Sequence, residues 1–141
     1  LAAPAAAKPA GTCPGELAVA GAPRSVSLVN ARWNIAGDAA GKVEVGPDGG
    51  SIVTHMKGRT YFGSDCKDGT YNNTNYVAMR LLGKTLRYTV DMTGAGCGCN
   101  AAFYLTSLHQ NDQASECEDH YCDANNVCGV SCVEIDIQEA N

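Results

Sequence analysis

Apolar and polar residues alternate along short stretches of this chain, and glycine-rich turns separate the stretches. The alternation and the apolar runs predict strands at residues 25–29, 42–45, 51–56, 76–82, 85–92 and 101–108. The GPDGG cluster at residues 46–50 predicts a tight turn, and Gly83-Lys84 predicts a hairpin joining residues 76–82 to 85–92. Helical periodicity is not apparent, so the pattern predicts an all-β domain, either a sandwich or a jelly roll.

The last strand predicted, over residues 133–137, carries acidic residues on one side only. Residues two apart in a strand share a face, so Glu134 and Asp136 are expected to point the same way. Ile135 and Ile137 then fall on the opposite face, where we expect them to pack underneath.

Glu139 follows Glu134 by five positions, which in a regular strand would put it on the wrong face. A one-residue β-bulge near Ile137 and Gln138 would correct this, because a bulge inserts one extra residue and re-aims the side chains that follow. All three acids would then line one groove.

Closely spaced carboxyl groups can hold one ionised and one protonated member at neutral pH. Retaining glycoside hydrolysis requires that arrangement, with a nucleophile and an acid/base roughly 5–5.5 Å apart. An acidic, solvated edge of a sheet is the alternative interpretation of the same residues.

Composition and charge narrow the classes of partner. The 141 residues suffice for one domain or part of one, and 16 glycines with 6% aromatic residues indicate a turn-rich chain. A net charge of −5 argues against nucleic acid or an anionic membrane as partner. No apolar run approaches the roughly 18 residues of a transmembrane helix.

The Ala/Pro-rich start predicts an arm over residues 1–24, followed by a domain over residues 25–141.

Eight cysteines are too many for a typical reducing cytosol, so they predict disulfides and a secreted protein or one in an oxidising lumen. Their pairing stays open, because eight cysteines allow 105 connectivities.

Zinc is an alternative for the four cysteines after residue 116 with His109 and His120, but no Cys-x2-Cys knuckle is present. Calcium is an alternative for the nearby acids, which lack an EF-hand pattern, so a solvated acidic loop is favoured. We therefore predict neither a metal nor a cofactor.

Four stretches, taken in order, resemble the family 7 glycoside hydrolases, the fungal-type cellobiohydrolases and endoglucanases. They are SVSL at residues 25–28 with Trp33, LLGKTLRYTVD at 81–91, CGCNAAFY at 97–104 and CVEIDIQEAN at 132–141. The last is similar to the family's Cys-Ser-Glu-Met-Asp-Ile-Trp-Glu-Ala-Asn. The resemblance implies a concanavalin-like β-jelly-roll sandwich that cleaves β-1,4-glucan, such as cellulose, with retention of configuration.

The resemblance also implies roles for individual residues. Glu134 would be the nucleophile, Glu139 the acid/base, and Asp136 the residue that hydrogen-bonds and tunes Glu134. Asn100 and Tyr104 match family residues that lie in the substrate cleft beside the nucleophile. Judged without the resemblance, these two positions are interpreted as a turn residue and a core aromatic. Trp33, which belongs to the matching first strand, is the third residue predicted to bind substrate.

The chain departs from the family at Gln138, which replaces a tryptophan, and at Cys99, which replaces a leucine. Family members continue for a few hundred residues beyond the acidic motif, so we expect a sandwich that is incomplete within this chain. A longer enzyme, or a partner chain that completes the sheets, would supply the rest. Two other hypotheses stay open, namely a non-catalytic glycan-binding or structural subunit and a family 16-like β-glucanase.

Overall fold

A computed structural model describes residues 12–22, 24–31 and 41–141. These residues form seven strands and two single-turn 3-10 helices, which confirms the all-β prediction for the described part of the chain. The strands are β1 (Gly15–Leu17), β2 (Val26–Asn30), β3 (Val43–Val45), β4 (Ile52–Thr54), β5 (Thr60–Gly63), β6 (Ala101–Thr106) and β7 (Glu134–Ala140). The 3-10 helices are Asn73–Asn75 and Leu108–Gln110. Neither helix approaches the length and apolarity needed to cross a membrane.

The strands pair into three small antiparallel sheets, ordered β1-β2-β5, β3-β4 and β6-β7. The predicted strands at residues 25–29, 42–45 and 51–56 correspond to β2, β3 and β4. The predicted turn at residues 46–50 closes the β3-β4 hairpin, where the Gly46 amide donates to the Ser51 carbonyl at 2.9 Å. β1 lies within the segment predicted as the arm and pairs with β2, whereas residues 1–11 lie outside the described part.

The core has two halves that meet at β2. Leu28 is fully buried with Leu17 and Val43 on one side of the strand, and Val29 is buried with Tyr61 and its neighbours on the other. Because successive residues of a strand point to opposite faces, two adjacent buried residues show that β2 is covered on both faces. β2 is therefore the central strand of the three-stranded sheet and holds the two halves together.

Three disulfides, Cys13–Cys66, Cys117–Cys128 and Cys122–Cys132, bridge the described chain. The first ties the residues before β1 to those after β5. The other two lie between β6 and β7 and use the four cysteines that a zinc site would need. We call residues 109–132 the cystine loop. These disulfides fit the predicted oxidising compartment.

The predicted hairpin over residues 76–92 is only partly correct. Its turn forms, with the Lys84 amide donating to the Leu81 carbonyl at 2.9 Å and Gly83 at φ +70°. The flanking residues, however, form no strands, and Leu82 is 99% exposed. Alternation favours a strand only when a neighbouring sheet supplies hydrogen bonds and a surface to pack on. Within the described residues, only the start of the 76–92 segment meets a sheet, where Tyr76 forms an isolated bridge with Gly63 of β5. Residues 78–92 pair with no strand.

Candidate functional site

β6 and β7 form a two-stranded ribbon with one irregularity. Tyr104 pairs with Asp136, while the preceding Phe103 pairs with Gln138, so Ile137 is an extra residue on β7. This is a β-bulge, and it lies where the sequence predicted it. The register beyond Ile137 is consequently shifted by one residue.

The bulge determines which way the acidic side chains point. Directly paired residues of an antiparallel ribbon project from the same face. Glu134 pairs with Thr106, Asp136 with Tyr104, and Glu139 with Ala102. These three partners follow one another along β6 at intervals of two residues, so they share one face of the ribbon. The three acids therefore lie on that same face. We call this the acidic face, defined by Glu134, Asp136 and Glu139.

The two outer acids lie far apart along the backbone. Their partners on β6, Ala102 and Thr106, are four positions apart, which corresponds to roughly 13 Å along a strand. The carboxyl groups can approach each other only if both side chains lean toward Asp136.

Each outer carboxylate has a specific hydrogen-bond donor. The Asn100 side-chain amide donates to Glu139 Oε1 at 3.0 Å, and the Ala124 backbone amide donates to Glu134 Oε2 at 2.7 Å. Asn100 directly precedes β6, and Ala124 belongs to the cystine loop. The structure therefore brings Asn100 together with Glu139, both of which the sequence predicted for the site. It also adds Ala124, whose backbone contact has no sequence signal.

Tyr104 lies on the acidic face opposite Asp136, and its hydroxyl shares a hydrogen bond of 3.0 Å with the Tyr121 hydroxyl. Burial is the main reason that the pKa of Tyr104 is raised, and the negative charge of Glu134 adds to the effect. Tyr104 is thus a neutral hydroxyl next to the acids, tied to the cystine loop through Tyr121.

A buried ion pair anchors the cystine loop to the three-stranded sheet. Asp119 is fully buried and accepts from the Arg59 guanidinium at 3.4 Å, the Tyr61 hydroxyl at 2.9 Å and the Tyr121 amide at 3.1 Å. The Arg59 guanidinium also stacks 3.9 Å from the Tyr121 ring centre. The Tyr76 hydroxyl donates to the Asp119 carbonyl at 2.6 Å.

The interpretation of the loop acids as uniformly solvated is therefore wrong for two of them. Asp119 is fully buried and Asp123 is 3% exposed, whereas Asp112, Glu116 and Glu118 are exposed. Buried carboxylates need partners, and the side-chain partners of Asp119 are Arg59, which directly precedes β5, and Tyr61 of β5, about sixty residues earlier in the chain. Sequence spacing gives no signal for so distant a pair.

The buried tyrosines predict a loss of stability in alkali. Burial raises the pKa of Tyr61, Tyr76 and Tyr121 above the ordinary value, whereas an unfolded tyrosine ionises near pH ~10. Above that pH the unfolded chain binds fewer protons than the folded one. The free energy of unfolding therefore falls as pH rises toward the folded-state pKa values, by about 1.4 kcal/mol per pH unit for each tyrosine.

Urea unfolding between about pH 8 and pH 11 measures this loss. Tyr121→Phe removes one ionisable group, so its stability should fall less steeply with pH than that of the unsubstituted protein. The expected difference is about 1.4 kcal/mol per pH unit above pH ~10. If the free energy of unfolding fell equally steeply with pH in both proteins, the pKa of Tyr121 would not be raised by folding.

The opposite face of the ribbon is more exposed than the sequence predicted. Ile135 and Ile137 were expected to pack underneath, but they are 60% and 40% exposed. Ile137 is the bulged residue, and Ile135 pairs with the half-buried Leu105. On this face the Tyr88 ring contacts Phe103 edge-to-face at 4.8 Å, two residues before Leu105. The described residues supply no second layer that would bury Ile135.

On the acidic face Asp136 and Glu139 are exposed, whereas Glu134 is half-buried. Two concavities of the described chain are lined by other residues, one beside Cys66 and Tyr71 and one beside Gln110 and Val130. Within the described ranges, no three His, Cys, Asp or Glu side chains are grouped so that they could hold a metal ion. Trp33, predicted to bind substrate, lies outside the described residues.

Comparison of the chain with models of protein families, with curated proteins and with solved structures finds no match in any of the three. The resemblance to the family 7 glycoside hydrolases accordingly rests on the four sequence stretches alone.

Proposed function

We propose that the acidic face hydrolyses β-1,4-glucan with retention of configuration, with Glu134 as the nucleophile and Glu139 as the acid/base. The observation that carries the proposal is the bulge at Ile137, because it turns Glu139 to the face of Glu134 and Asp136. A regular strand would leave the two glutamates on opposite faces, where no single substrate could meet both.

In this mechanism Glu134 attacks the anomeric carbon while protonated Glu139 donates its proton to the leaving oxygen. Water then attacks the glycosyl-enzyme, and Glu139 acts as the base. Asn100 donates to Glu139 Oε1 and leaves Oε2 to carry the proton. The Ala124 amide orients Glu134 through Oε2, so that Oε1 can attack. Asp136 lies between them as the proposed hydrogen-bond partner of Glu134.

The proposal includes a concanavalin-like β-jelly-roll sandwich in a secreted protein, of which β6 and β7 are one part. Additional strands beside this ribbon would cover Ile135 and give the acidic face the walls of a cleft. They would come from a longer chain or from a partner. Tyr104 and Trp33 would contact the sugar in that cleft.

A non-catalytic glycan-binding module is the second candidate. The observation that favours it is the open position of the acidic face, on which Asp136 and Glu139 are both exposed. Attack by the carboxylate nucleophile benefits from a site that excludes bulk water, whereas binding of a hydrated glycan does not require such a site. A family 16-like β-glucanase would differ from the first proposal in linkage preference.

The test is incubation of the protein with three soluble polymers, namely a β-1,4-glucan, a mixed-linkage glucan and a β-1,3-glucan. New reducing ends from the β-1,4-glucan, appearing first as the β-anomer in NMR spectra, support the main proposal. Preference for β-1,3 linkages would indicate the family 16-like activity. Saturable binding by calorimetry without new reducing ends would establish the glycan-binding module, and neither binding nor hydrolysis would overturn both.

A further inference from the structure

Two of the eight cysteines, Cys97 and Cys99, are not in a disulfide, although the other six are all paired. Cys97 is exposed, and Cys99 is partly exposed. Accessible thiols are readily oxidised in the kind of compartment in which the three disulfides form. Within this chain, each of the two thiols has only the other as a cysteine partner.

The backbone between the two thiols is a tight turn. The Cys99 amide donates to the Gly96 carbonyl at 3.1 Å, and Gly98, at φ +82°, occupies the third position of the turn. This conformation favours glycine, because it is strained for residues with a Cβ atom. A Cβ built at Gly98 would meet no atom within 4 Å, so the space around the turn is open. A small-molecule reagent can therefore reach both sulfurs.

The spacing also suits a bond between them. Disulfides join residues whose Cα atoms are usually about 4.4–6.8 Å apart. Two residues separated by one position in a turn fall in that range, because an extended chain reaches at most about 7 Å over two residues and the turn shortens this distance. The flexible glycine lets the two Cβ atoms rotate toward each other.

We propose that Cys97-Gly98-Cys99 is a redox-active dithiol that closes reversibly into an intramolecular disulfide by exchange with a small-molecule disulfide. One cysteine thiolate attacks the small disulfide, forms a mixed disulfide and releases one thiol. The second cysteine thiolate attacks the protein sulfur of the mixed disulfide and releases the second thiol. The two cysteines lose two electrons and two protons in total, and the small disulfide gains them.

The site is next to the acidic face in the chain. Asn100 follows Cys99 directly, and its side chain donates to Glu139. Ring closure restricts the backbone of residues 97–99 and so limits where Asn100 can place its amide. The proposal does not depend on glycan hydrolysis, because the chemistry involves the two thiols alone.

The experiment uses the full chain, first treated with a low concentration of dithiothreitol that leaves the three structural disulfides intact. Burial of Cys117, Cys122 and Cys128 protects two of these disulfides from the reagent. The protein is then incubated with oxidised glutathione, quenched in acid, alkylated and mapped by peptide mass spectrometry. The peptide containing residues 97–99 is expected to be lighter by two hydrogen atoms, unalkylated and free of glutathione.

Two single variants separate this outcome from simple thiol modification. Cys99→Ser and Cys97→Ser each retain one thiol and should stop at the mixed disulfide, so their peptides should carry one glutathione. Neither substitution alters a disulfide of the core, and circular dichroism checks the fold. Glutathione retained on the unsubstituted protein, two thiols left free, or a disulfide from Cys97 to any cysteine other than Cys99 would each overturn the proposal.

Discussion

Substituting Glu134 with glutamine should abolish hydrolysis of soluble β-1,4-glucan, lowering kcat by about 10³-fold or more. Glutamine has nearly the shape of glutamate and can still accept the hydrogen bond from the Ala124 amide. It cannot, however, form the glycosyl-enzyme ester, since its amide is a poor nucleophile. The loss should therefore appear in kcat with the fold unchanged. Initial rates of reducing-end formation measure it, and thermal unfolding shows whether the variant is folded.

Glu139→Gln provides the comparison within the site. Loss of an acid/base typically costs about 10²- to 10⁴-fold with an ordinary leaving group. An aryl glucoside, whose leaving group needs little protonation, should still form the glycosyl-enzyme and give a burst of phenol. Glu134→Gln should give no burst with the same substrate. This difference distinguishes the nucleophile from the acid/base.

Glu16→Gln is the matched control outside the site. Glu16 is an exposed glutamate of β1, which belongs to a different sheet from β6 and β7, and its carboxylate accepts from the Ser25 hydroxyl. Its substitution should leave the rate within about twofold of the unsubstituted protein. If Glu134→Gln retained activity equal to that of Glu16→Gln, Glu134 would not be the nucleophile.

The arrangement of the acids could be predicted from the sequence because it depends on local geometry. Side-chain direction alternates with a period of two, and the five-residue spacing of Glu134 and Glu139 requires one extra residue between them. Ile137 fills that position. The direction of the side chains along β7 follows from their spacing in the sequence, whereas the strand itself depends on its pairing with β6.

The strands predicted over residues 76–92 failed for the opposite reason. Their alternation is as regular as that of β2, but β2 lies between β1 and β5 and is buried on both faces. A strand exists only when its neighbours are present, and alternation does not reveal them. The same limit applies to Ile135, whose exposure depends on what covers the far face of the ribbon.

Substituting Asp119 with asparagine should destabilise the protein by about 3–5 kcal/mol, the usual cost of breaking a buried ion pair from one side. Its carboxylate accepts hydrogen bonds from Arg59, Tyr61 and the Tyr121 amide, and its side chain is fully buried. An asparagine amide has one acceptor oxygen in place of two, and its NH₂ group would face donors. Urea unfolding at neutral pH measures the change in the free energy of unfolding.

Asp91→Asn is the matched control, because Asp91 is an exposed aspartate that accepts from the Thr93 amide at 2.9 Å. Its substitution should cost less than about 1 kcal/mol. Adding Arg59→Met to Asp119→Asn should recover part of the larger loss, since Arg59→Met removes the buried positive charge that the Asp119 carboxylate pairs with. The double variant is compared with Arg59→Met and Asp119→Asn alone. If its loss of stability equalled the sum of the two single losses, the Arg59–Asp119 ion pair would not be what stabilises this region.

Asp119→Asn also tests whether the buried ion pair in the core affects the acidic face. The backbone amide of Tyr121 is held by Asp119, its hydroxyl bonds Tyr104, and Ala124 of the same loop bonds Glu134. Loosening the loop should therefore release Glu134 from its amide donor before the chain unfolds. Hydrogen exchange should show faster exchange of the Ala124 amide in Asp119→Asn than in Asp91→Asn. Equal exchange at Ala124 would mean that the loop is held independently of the ion pair, by its two disulfides.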